Sequence, residues 1–418
     1  MQELLPEKQA IFNKYKREIE DVYKSFGFFE IETPTIDRSE ILFAKAGGET
    51  EKQIYKVVKT EESEDSADQA LRFDHTVPLA RYVAEHESDL TFPFKVTQIG
   101  KNFRGERAQK GRFREFYQCD IDVVGRNELP IEYDAEVINT LFSALSKLKL
   151  PGLLVRISNR KILSGLLEGL NLNHLSQEIF SIIDHSEKVS ESVTKERLDG
   201  LGIGEDFIKV LEKFIGFSGE ISEVAIKLRD LGIESEKFNR GIEELEKVFV
   251  ALEKYGLKEN IVADMRIVRG LDYYTGTVFE TILKDYKEIG SVCSGGRYEN
   301  LAGLYTDQIL PGVGGSIGLT RLFFLMNEYG LLDNSIETKV DYAIVPFSGE
   351  QYGFCFELAK KYREEGKSVD LVFSNKKIGD RIKYASKVAK FGIVVGENEV
   401  ESGKVTAKNF ETGEIIPA

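Results

Sequence analysis

Cysteine is scarce. Three occur in 418 residues, Cys119, Cys293 and Cys355, and none forms a CxxC pair. That excludes a disulfide framework and a cysteine-rich zinc site, and leaves three buried structural thiols in a chain suited to the reducing cytoplasm. No run of about 18 apolar residues is present, which excludes a membrane-spanning helix. The opening MQELLPEKQAIFNKYKREIE is charged and amphipathic, without the apolar stretch and small-residue cleavage site of a secretory leader. Internal repeats are absent, as are the GK[ST] ending of a Walker A loop and the spacing of a dinucleotide-binding fingerprint. A net charge of −14 argues against a globally basic nucleic-acid binder, although phosphate contacts need only a local basic patch. The acidity is uneven: the part from Thr338 onward is close to charge-balanced and the remainder carries almost all the excess.

What is present is a large apolar fraction, 42%, in a chain long enough for several domains. Ile11, Tyr15, Ile19, Val22 and Phe26 recur at helical spacing and predict an amphipathic helix over Pro6–Phe26, stopped by Gly27. A short strand follows and ends at Pro34. The acidic stretch 58–69 reads as a loop or hairpin tip, Leu71–Phe73 as a strand, and Thr76 as the cap of a helix with Pro78 in its first turn. Residues 93–125 read as two long antiparallel strands around a polar, basic tip. From 160 to 255 leucine and isoleucine recur every three or four residues, which predicts a helical insertion. Strands are expected again at Ile261–Val268, Thr277–Leu283 and Ile289–Cys293, and a glycine cluster at 312–318 leads into a helix, Leu319–Tyr329. Beyond a linker at Asp333–Thr338 the order is strand Tyr342–Pro346, helix Glu350–Glu365, strand Ser368–Phe373, helix Ile378–Ala389 and strand Gly392–Val395: a small α/β domain with a mixed sheet.

Four clusters carry candidate chemistry. Arg104, Arg107, Lys110, Arg112 and Arg114 surround the hairpin tip, with Glu106 among them. Three readings compete: a solvated loop, a nucleic-acid patch, or one end of a ligand site. The third gains from the return strand, where Gln118 and Asp122 share a face with Arg112 and Arg114, and Asp120 lies between them. Guanidiniums at one end and carboxylates at the other suit a zwitterion joined to a polyphosphate. The second cluster, Arg269-Gly270-Leu271-Asp272-Tyr273-Tyr274, puts paired tyrosines beside Arg and Asp and is as compatible with a core as with a site. The third, Ser294-Gly295-Gly296-Arg297-Tyr298-Glu299, has a glycine pair that before a helix start would approach a ligand closely. The fourth, Gly312 to Arg321, is a glycine-rich run that is weak evidence alone.

Together these segments resemble one family. Phe103-Arg104-x-Glu106 followed by Arg112 resembles motif 2 of class II aminoacyl-tRNA synthetases, Gly314 to Arg321 motif 3, and the segment around Pro34 motif 1, the dimer-forming element. LRFDHTVPLARY at 71–82, RGLDYYTGTVFE at 269–280 and SGGRYENL at 294–301 resemble the signatures of the histidyl-tRNA synthetase family, and GENEVESGKVTAKNFETGE at 396–414 resembles its anticodon-binding domain. Thr320 stands where class II motif 3 often has an acidic residue.

The resemblance implies an α+β fold: an antiparallel-sheet catalytic core over 1–325, interrupted by a helical insertion at about 160–250, then an anticodon-binding domain over 336–418. It implies activation of L-histidine by ATP with Mg²⁺, transfer to tRNA(His), a homodimer, no membrane partner, and no metal held by protein side chains alone. By the same resemblance Arg104 and Arg269 are catalytic at the α-phosphate and substrate carboxylate. Arg112 and Arg321 take the γ-phosphate and Glu106 the adenine. Asp74, Thr76 and Gln118 surround the amino and carboxylate groups of histidine, and Asp122 and Tyr274, with Tyr273 beside them, its ring. A paralogue of the family is a regulatory subunit of ATP phosphoribosyltransferase, which lacks the anticodon domain and loses catalytic residues. This chain keeps Arg104, Arg112, Arg269, Arg321 and the last domain, which also argues against a non-catalytic tRNA-binding or histidine-sensing module. The RGLDYY stretch argues against another specificity. Lys376, Lys377, Arg381, Lys383 and Lys387 form either a tRNA-facing patch or a solvated helix face.

Overall fold

The computed structural model describes residues 3–43, 51–60, 68–106, 111–268, 273–299, 302–333 and 338–418. Contacts divide the chain into two units, one built on Phe12–Leu332 and the other on Asp333–Ala418 with Leu4–Ile11. Helix α1 (Pro6–Ser25) opens the chain. Its buried stripe is Ile11, Tyr15, Ile19 and Tyr23, where Val22 and Phe26 were expected to continue it. Four-residue steps drift only slowly around a helix of 3.6 residues per turn, so Tyr23 stays on the stripe. Its hydroxyl donates to the Cys119 carbonyl at 3.0 Å. Gly27, at φ +81°, ends the helix.

Strand β1 (Phe29–Glu30) comes next, then a small sheet of β2 (Ile36–Arg38), β3 (Lys56–Val57) and β4 (Gln69–Leu71), with helix α2 (Ser39–Phe43) between its first two strands. Helix α3 (Thr76–Glu85) starts at Thr76, which therefore does not cap it. The Asp74 carboxylate takes the Val77 N–H instead, at 3.0 Å, because a short charged acceptor just ahead of the first turn meets the unpaired donors and the positive end of the helix together.

The remaining elements of this unit are β5 (Phe94–Phe103), β6 (Glu115–Val124), α4 (Glu132–Lys147), β7 (Leu153–Asn159), α5 (Arg160–Gly169), α6 (Ser176–His185), α7 (Glu191–Asp199), α8 (Glu205–Ile215), β8 (Ser218–Gly219), α9 (Ile221–Arg229), α10 (Glu236–Lys254), β9 (Ile261–Asp264), β10 (Thr277–Leu283), β11 (Cys293–Tyr298), β12 (Gly312–Ile317) and α11 (Leu319–Glu328). Among the described residues nine strands form one sheet in the order β1-β5-β6-β12-β11-β10-β7-β9-β8. Only β1–β5 and β7–β9 pair parallel. One glycine expectation changes: Gly295 and Gly296 do not precede a helix. The run Gly312–Ile317 leads into α11 as expected and is itself a strand; both runs are central strands. Glycine has little strand propensity, and what places it here is proximity. A Cβ on Gly295 would lie 2.2 Å from the Gly314 carbonyl oxygen and 2.5 Å from the Phe279 ring.

The second unit holds β13 (Val340–Pro346), α12 (Tyr352–Glu364), β14 (Val369–Leu371), α13 (Ile378–Val388), β15 (Ala389–Val395), α14 (Glu397–Ser402), β16 (Thr406–Asn409) and β17 (Ile415–Pro417). The strand order is β14-β13-β15-β16-β17, with the first three parallel and the rest antiparallel. The mixed sheet matches the expected alternation, and the closing hairpin β16–β17 adds to it. Arg381 leaves the supposed basic face. It is buried, and its guanidinium donates to the carbonyls of Pro346 (2.5 Å) and Phe347 (2.9 Å), which the end of β13 leaves unpaired. Lys376, Lys377, Lys383 and Lys387 are exposed. All three cysteines are free and buried.

Candidate active site

Side chains two apart on a strand share a face, and register lines those faces up across the sheet. Gln98, Asp120, Ser316, Ser294, Glu280 and Arg156 are successive partners across β5, β6, β12, β11, β10 and β7. Val96, Asp122, Gly314, Gly296 and Val278 form the neighbouring row. This site face is polar. The opposite face carries Cys119, Ile121, Val123, Ile317, Val313, Phe279 and Ile157, all buried.

Over the site face lies a cavity of about 550 Å³. It is lined by Asp74, Thr76, Arg104, Glu106, Arg112, Gln118, Asp122, Tyr273, Tyr274 and Arg321, which are all the predicted site residues except Arg269. Arg269 lies outside the described residues. The other residues that sequence spacing scattered from 74 to 321 are thus brought together.

One end is cationic. Arg104 follows β5, and its guanidinium sits between the rings of Phe73 (4.3 Å) and Phe116 (5.0 Å) and donates to the Phe73 carbonyl at 3.3 Å. Burial lowers its pKa, and Asp74 opposes that shift. Arg112, 46% exposed, reaches Glu106 at 3.1 Å, so this pair is held only as firmly as a surface ion pair. Arg321, on α11, donates to the Ile289 carbonyl at 2.7 Å. Thr320 beside it accepts the Tyr117 N–H at 2.7 Å, which pins the start of α11 to β6.

The other end is acidic and dry. Asp122 is 4% exposed and accepts the Tyr298 hydroxyl at 3.0 Å. Burial, and then the charge of Asp120, push its carboxyl well above the ordinary range. Asp74 is raised too, mainly by burial, against the pull of the Val77 N–H and Arg104. Burial likewise raises the phenols of Tyr273 and Tyr274, whose rings meet edge-on at 4.9 Å. Gln118 accepts from Asn102 and donates to Ser316, both at 2.8 Å. The glycines let these groups lie low. A Cβ on Gly314 would be 2.0 Å from Asp122 Oδ1, one on Gly296 2.9 Å from the Tyr274 ring, and one on Gly312 2.4 Å from the Tyr298 ring.

Sequence reading left His75, Asn102, Ser316, Tyr298 and Glu280 out of the site. Asp120 was noticed only as a polar strand residue, although it shares its parity with Gln118 and Asp122. Glu280 is held by Arg156 at 2.9 Å, and the same guanidinium binds Asp264 and Glu187, the latter in the turn after α6. A larger cavity, about 970 Å³, lies elsewhere in the first unit, beside α10. Its Lys161 is already paired with Glu244 and Glu299, and of the four clusters it meets only the third, at Arg297 and Glu299.

A cavity that pairs fixed guanidiniums with buried carboxylates fits an amino acid being joined to a nucleotide, and comparison with known proteins agrees. A family profile described as histidyl-tRNA synthetase matches residues 1–322, and one described as an anticodon binding domain matches 341–417. A histidine–tRNA ligase of Clostridium acetobutylicum is 46% identical over 99% of this chain and 95% of its own length. The crystal structure of histidyl-tRNA synthetase from Nostoc sp. PCC 7120 superposes with a TM-score of 0.87 at 36% identity, covering 100% of this chain and 95% of that one. An ATP phosphoribosyltransferase regulatory subunit/histidyl-tRNA synthetase from Bacillus halodurans shares the fold at a TM-score of 0.78 and 23% identity, covering 94% of this chain and 96% of that one. With its catalytic part and its C-terminal domain both matched, the chain belongs to the histidyl-tRNA synthetase family.

Proposed function

We propose that this chain is a histidine–tRNA ligase. The carboxylate of L-histidine attacks the α-phosphorus of ATP, the bond to pyrophosphate breaks, and histidyl-adenylate forms. The 3′-terminal hydroxyl of tRNA(His) then attacks the histidyl carbonyl and AMP leaves. The observation that carries this reading is a cavity that holds guanidiniums at one end and buried carboxylates at the other. Near full-length identity to a histidine–tRNA ligase favours catalysis over the regulatory role.

In this reading Arg104 and Arg269 hold the α-phosphate and substrate carboxylate, supplying in advance the positive charge that the pentacoordinate phosphorus needs. Arg112 and Arg321 bind the γ-phosphate and Glu106 the adenine. Asp74, Thr76 and Gln118 receive the ammonium and carboxylate, and Asp122 and Tyr274, backed by Tyr273, the imidazole. Buried acceptors left unpaired by an apolar side chain reject it strongly. The nucleophile is already a carboxylate, so no side chain is required as base. Mg²⁺ supplies charge neutralisation on the departing pyrophosphate. Among the described residues no three His, Cys, Asp or Glu side chains gather as a metal cage. Magnesium favours phosphate oxygens and water, so it fits here as a companion of the nucleotide.

Residues 1–325 form the catalytic core, with the helical insertion at about 160–250 over the acceptor arm, and 336–418 receive the anticodon. Ligands favour the carboxyl ends of parallel strands. There the second unit exposes Phe347 and Phe373, with Phe356 5.7 Å from Phe373 and Lys376 and Lys377 following. Aromatics beside lysines suit single-stranded bases. A homodimer is supported by the motif-1-like segment, where Phe29 and Ile36 are 71% and 46% exposed. No described helix is long and apolar enough to cross a membrane, and a cytoplasmic site suits the free thiols.

The test is ATP–pyrophosphate exchange against all twenty amino acids, repeated with Arg269→Ala. Exchange with histidine alone, lost in the variant, supports the reading. Histidine binding without exchange overturns it in favour of the regulatory role.

A further inference from the structure

His75 is 1% exposed and takes part in none of the steps above. It sits at the start of α3, against the site face of β5, where Gly100 leaves room for it. A Cβ on Gly100 would lie 2.6 Å from Arg72 Nη2 and 3.2 Å from His75 Nε2. Its Nδ1 is 3.2 Å from Asp120 Oδ2. Asp120 Oδ1 accepts the Ser316 hydroxyl in a short hydrogen bond. Both oxygens of this buried carboxylate are therefore capped, one from a strand and one from a helix start. The tautomer follows. A proton on Nδ1 makes a charge-assisted bond to the carboxylate, whereas a lone pair there would face negative charge in a dry site.

The direction of the whole chain is then fixed. Ser316 has one proton and gives it to Asp120, so its oxygen must accept, and the group facing it is Gln118 Nε2 at 2.8 Å. Gln118 Oε1 must in turn face a donor, and it receives Asn102 Nδ2 at 2.8 Å. Asn102, wholly buried, packs beside the His75 ring, with Nδ2 3.4 Å from Nδ1; with the proton on Nδ1 this is a contact between two donors and not a hydrogen bond. One imidazole thus touches both ends of a chain that runs Asn102, Gln118, Ser316, Asp120. Gln118, Ser316 and Asp120 all line the cavity, and of the three Gln118 is the one with a second polar proton. With Nε2 fixed toward Ser316, its second N–H is left for a ligand, and the amide cannot turn over without breaking two bonds.

We infer that His75 is a positioning residue for amino-acid binding. By capping Asp120 Oδ2 it holds in place the carboxylate whose other oxygen takes the Ser316 proton, and that acceptor sets the hydrogen-bond direction that makes Gln118 a donor toward the substrate carboxylate. It also keeps Asp120 occupied, so that Asp74 and Asp122 are the acceptors left for the ammonium and the ring. This rests on the ligase reading, in which Gln118 touches histidine.

The experiment compares His75→Asn, His75→Gln and His75→Ala by pyrophosphate exchange, with thermal melting of each. Asparagine can place an N–H where Nδ1 was; glutamine fills more of the volume but places its amide near Nε2. The expected result is a KM for histidine raised about tenfold in the Ala and Gln variants, the size of one lost hydrogen bond to a charged group. It should return to within about threefold of the parent in the Asn variant, with the KM for ATP unchanged throughout. Ser316→Ala, which cuts the chain in its middle, should raise the same KM similarly without touching α3. A parent that exchanges normally, with variants that only melt earlier or that rank Gln above Asn, overturns the inference and leaves His75 a packing residue. A parent with no exchange sinks the ligase reading instead.

Discussion

The two faces of the central sheet use the same strands in opposite ways. On the face under α4, the buried charge of Arg297 is paired at every nitrogen: it donates to Asp134 at 2.7 and 2.9 Å and to the carbonyls of Leu129 and Pro130, both at 2.9 Å. On the site face, Asp122 is buried with its carboxyl pKa raised, and Gln118 lines the cavity with one N–H not used by Ser316. The difference is that between a folded structure spending polar groups on itself and one holding them ready for a ligand. Parity alone decides which a residue does: Gly296 and Arg297 are neighbours in sequence and serve opposite faces.

Three experiments probe that contrast. The largest effect is expected for Arg104→Ala. Removing one pre-placed donor to developing charge should lower kcat for exchange about 100- to 1000-fold, with a melting temperature close to the parent's. An equal fall in melting temperature would make Arg104 a structural residue. Next is Asp134→Ala, which strands the buried Arg297 and should cost about 3–5 kcal/mol in chemical denaturation. The KM for histidine of the protein that remains folded should not change; a raised KM would mean that the faces are not independent. The smallest change in stability is expected for Asp122→Asn. A carboxyl whose pKa is raised by folding binds more protons in the native state, so stability falls as pH rises from the unfolded value, about 3.9, through the raised one. The amide removes that loss and still accepts from Tyr298. The ligand-free variant should melt a few degrees above the parent at pH 8 and close to it at pH 4, while losing histidine-dependent exchange. A variant less stable at pH 8 would show that the Asp122 charge is compensated.

The site was legible in the sequence where chemistry is local. Alternation from Phe94 to Val124 gave the hairpin, and parity put Gln118 and Asp122 on one face. Resemblance supplied Asp74, Arg104 and Arg321, which line one cavity. Glycine strands β11 and β12 escaped because residues without side chains carry no hydrophobic period. His75 and Ser316 escaped because each finds Asp120 from 45 and 196 positions away, and no local pattern records a partner so distant. Arg381 misled for a related reason: a cation in a basic run looks solvated until the carbonyls it serves, 35 and 34 residues earlier, are seen.

The glycines of β11 and β12 also determine where the floor of the cavity is. Asp122, Tyr274 and Tyr298 lie flat over bare backbone instead of standing up from it, so the pocket is sunk into the sheet by about the height of one side chain. Walls raised by loops can open and close. A recess cut by register changes only if strands slip past one another, which would turn every buried side chain on them to the wrong face. The depth available to an imidazole is therefore set when the strands pair, before any substrate arrives.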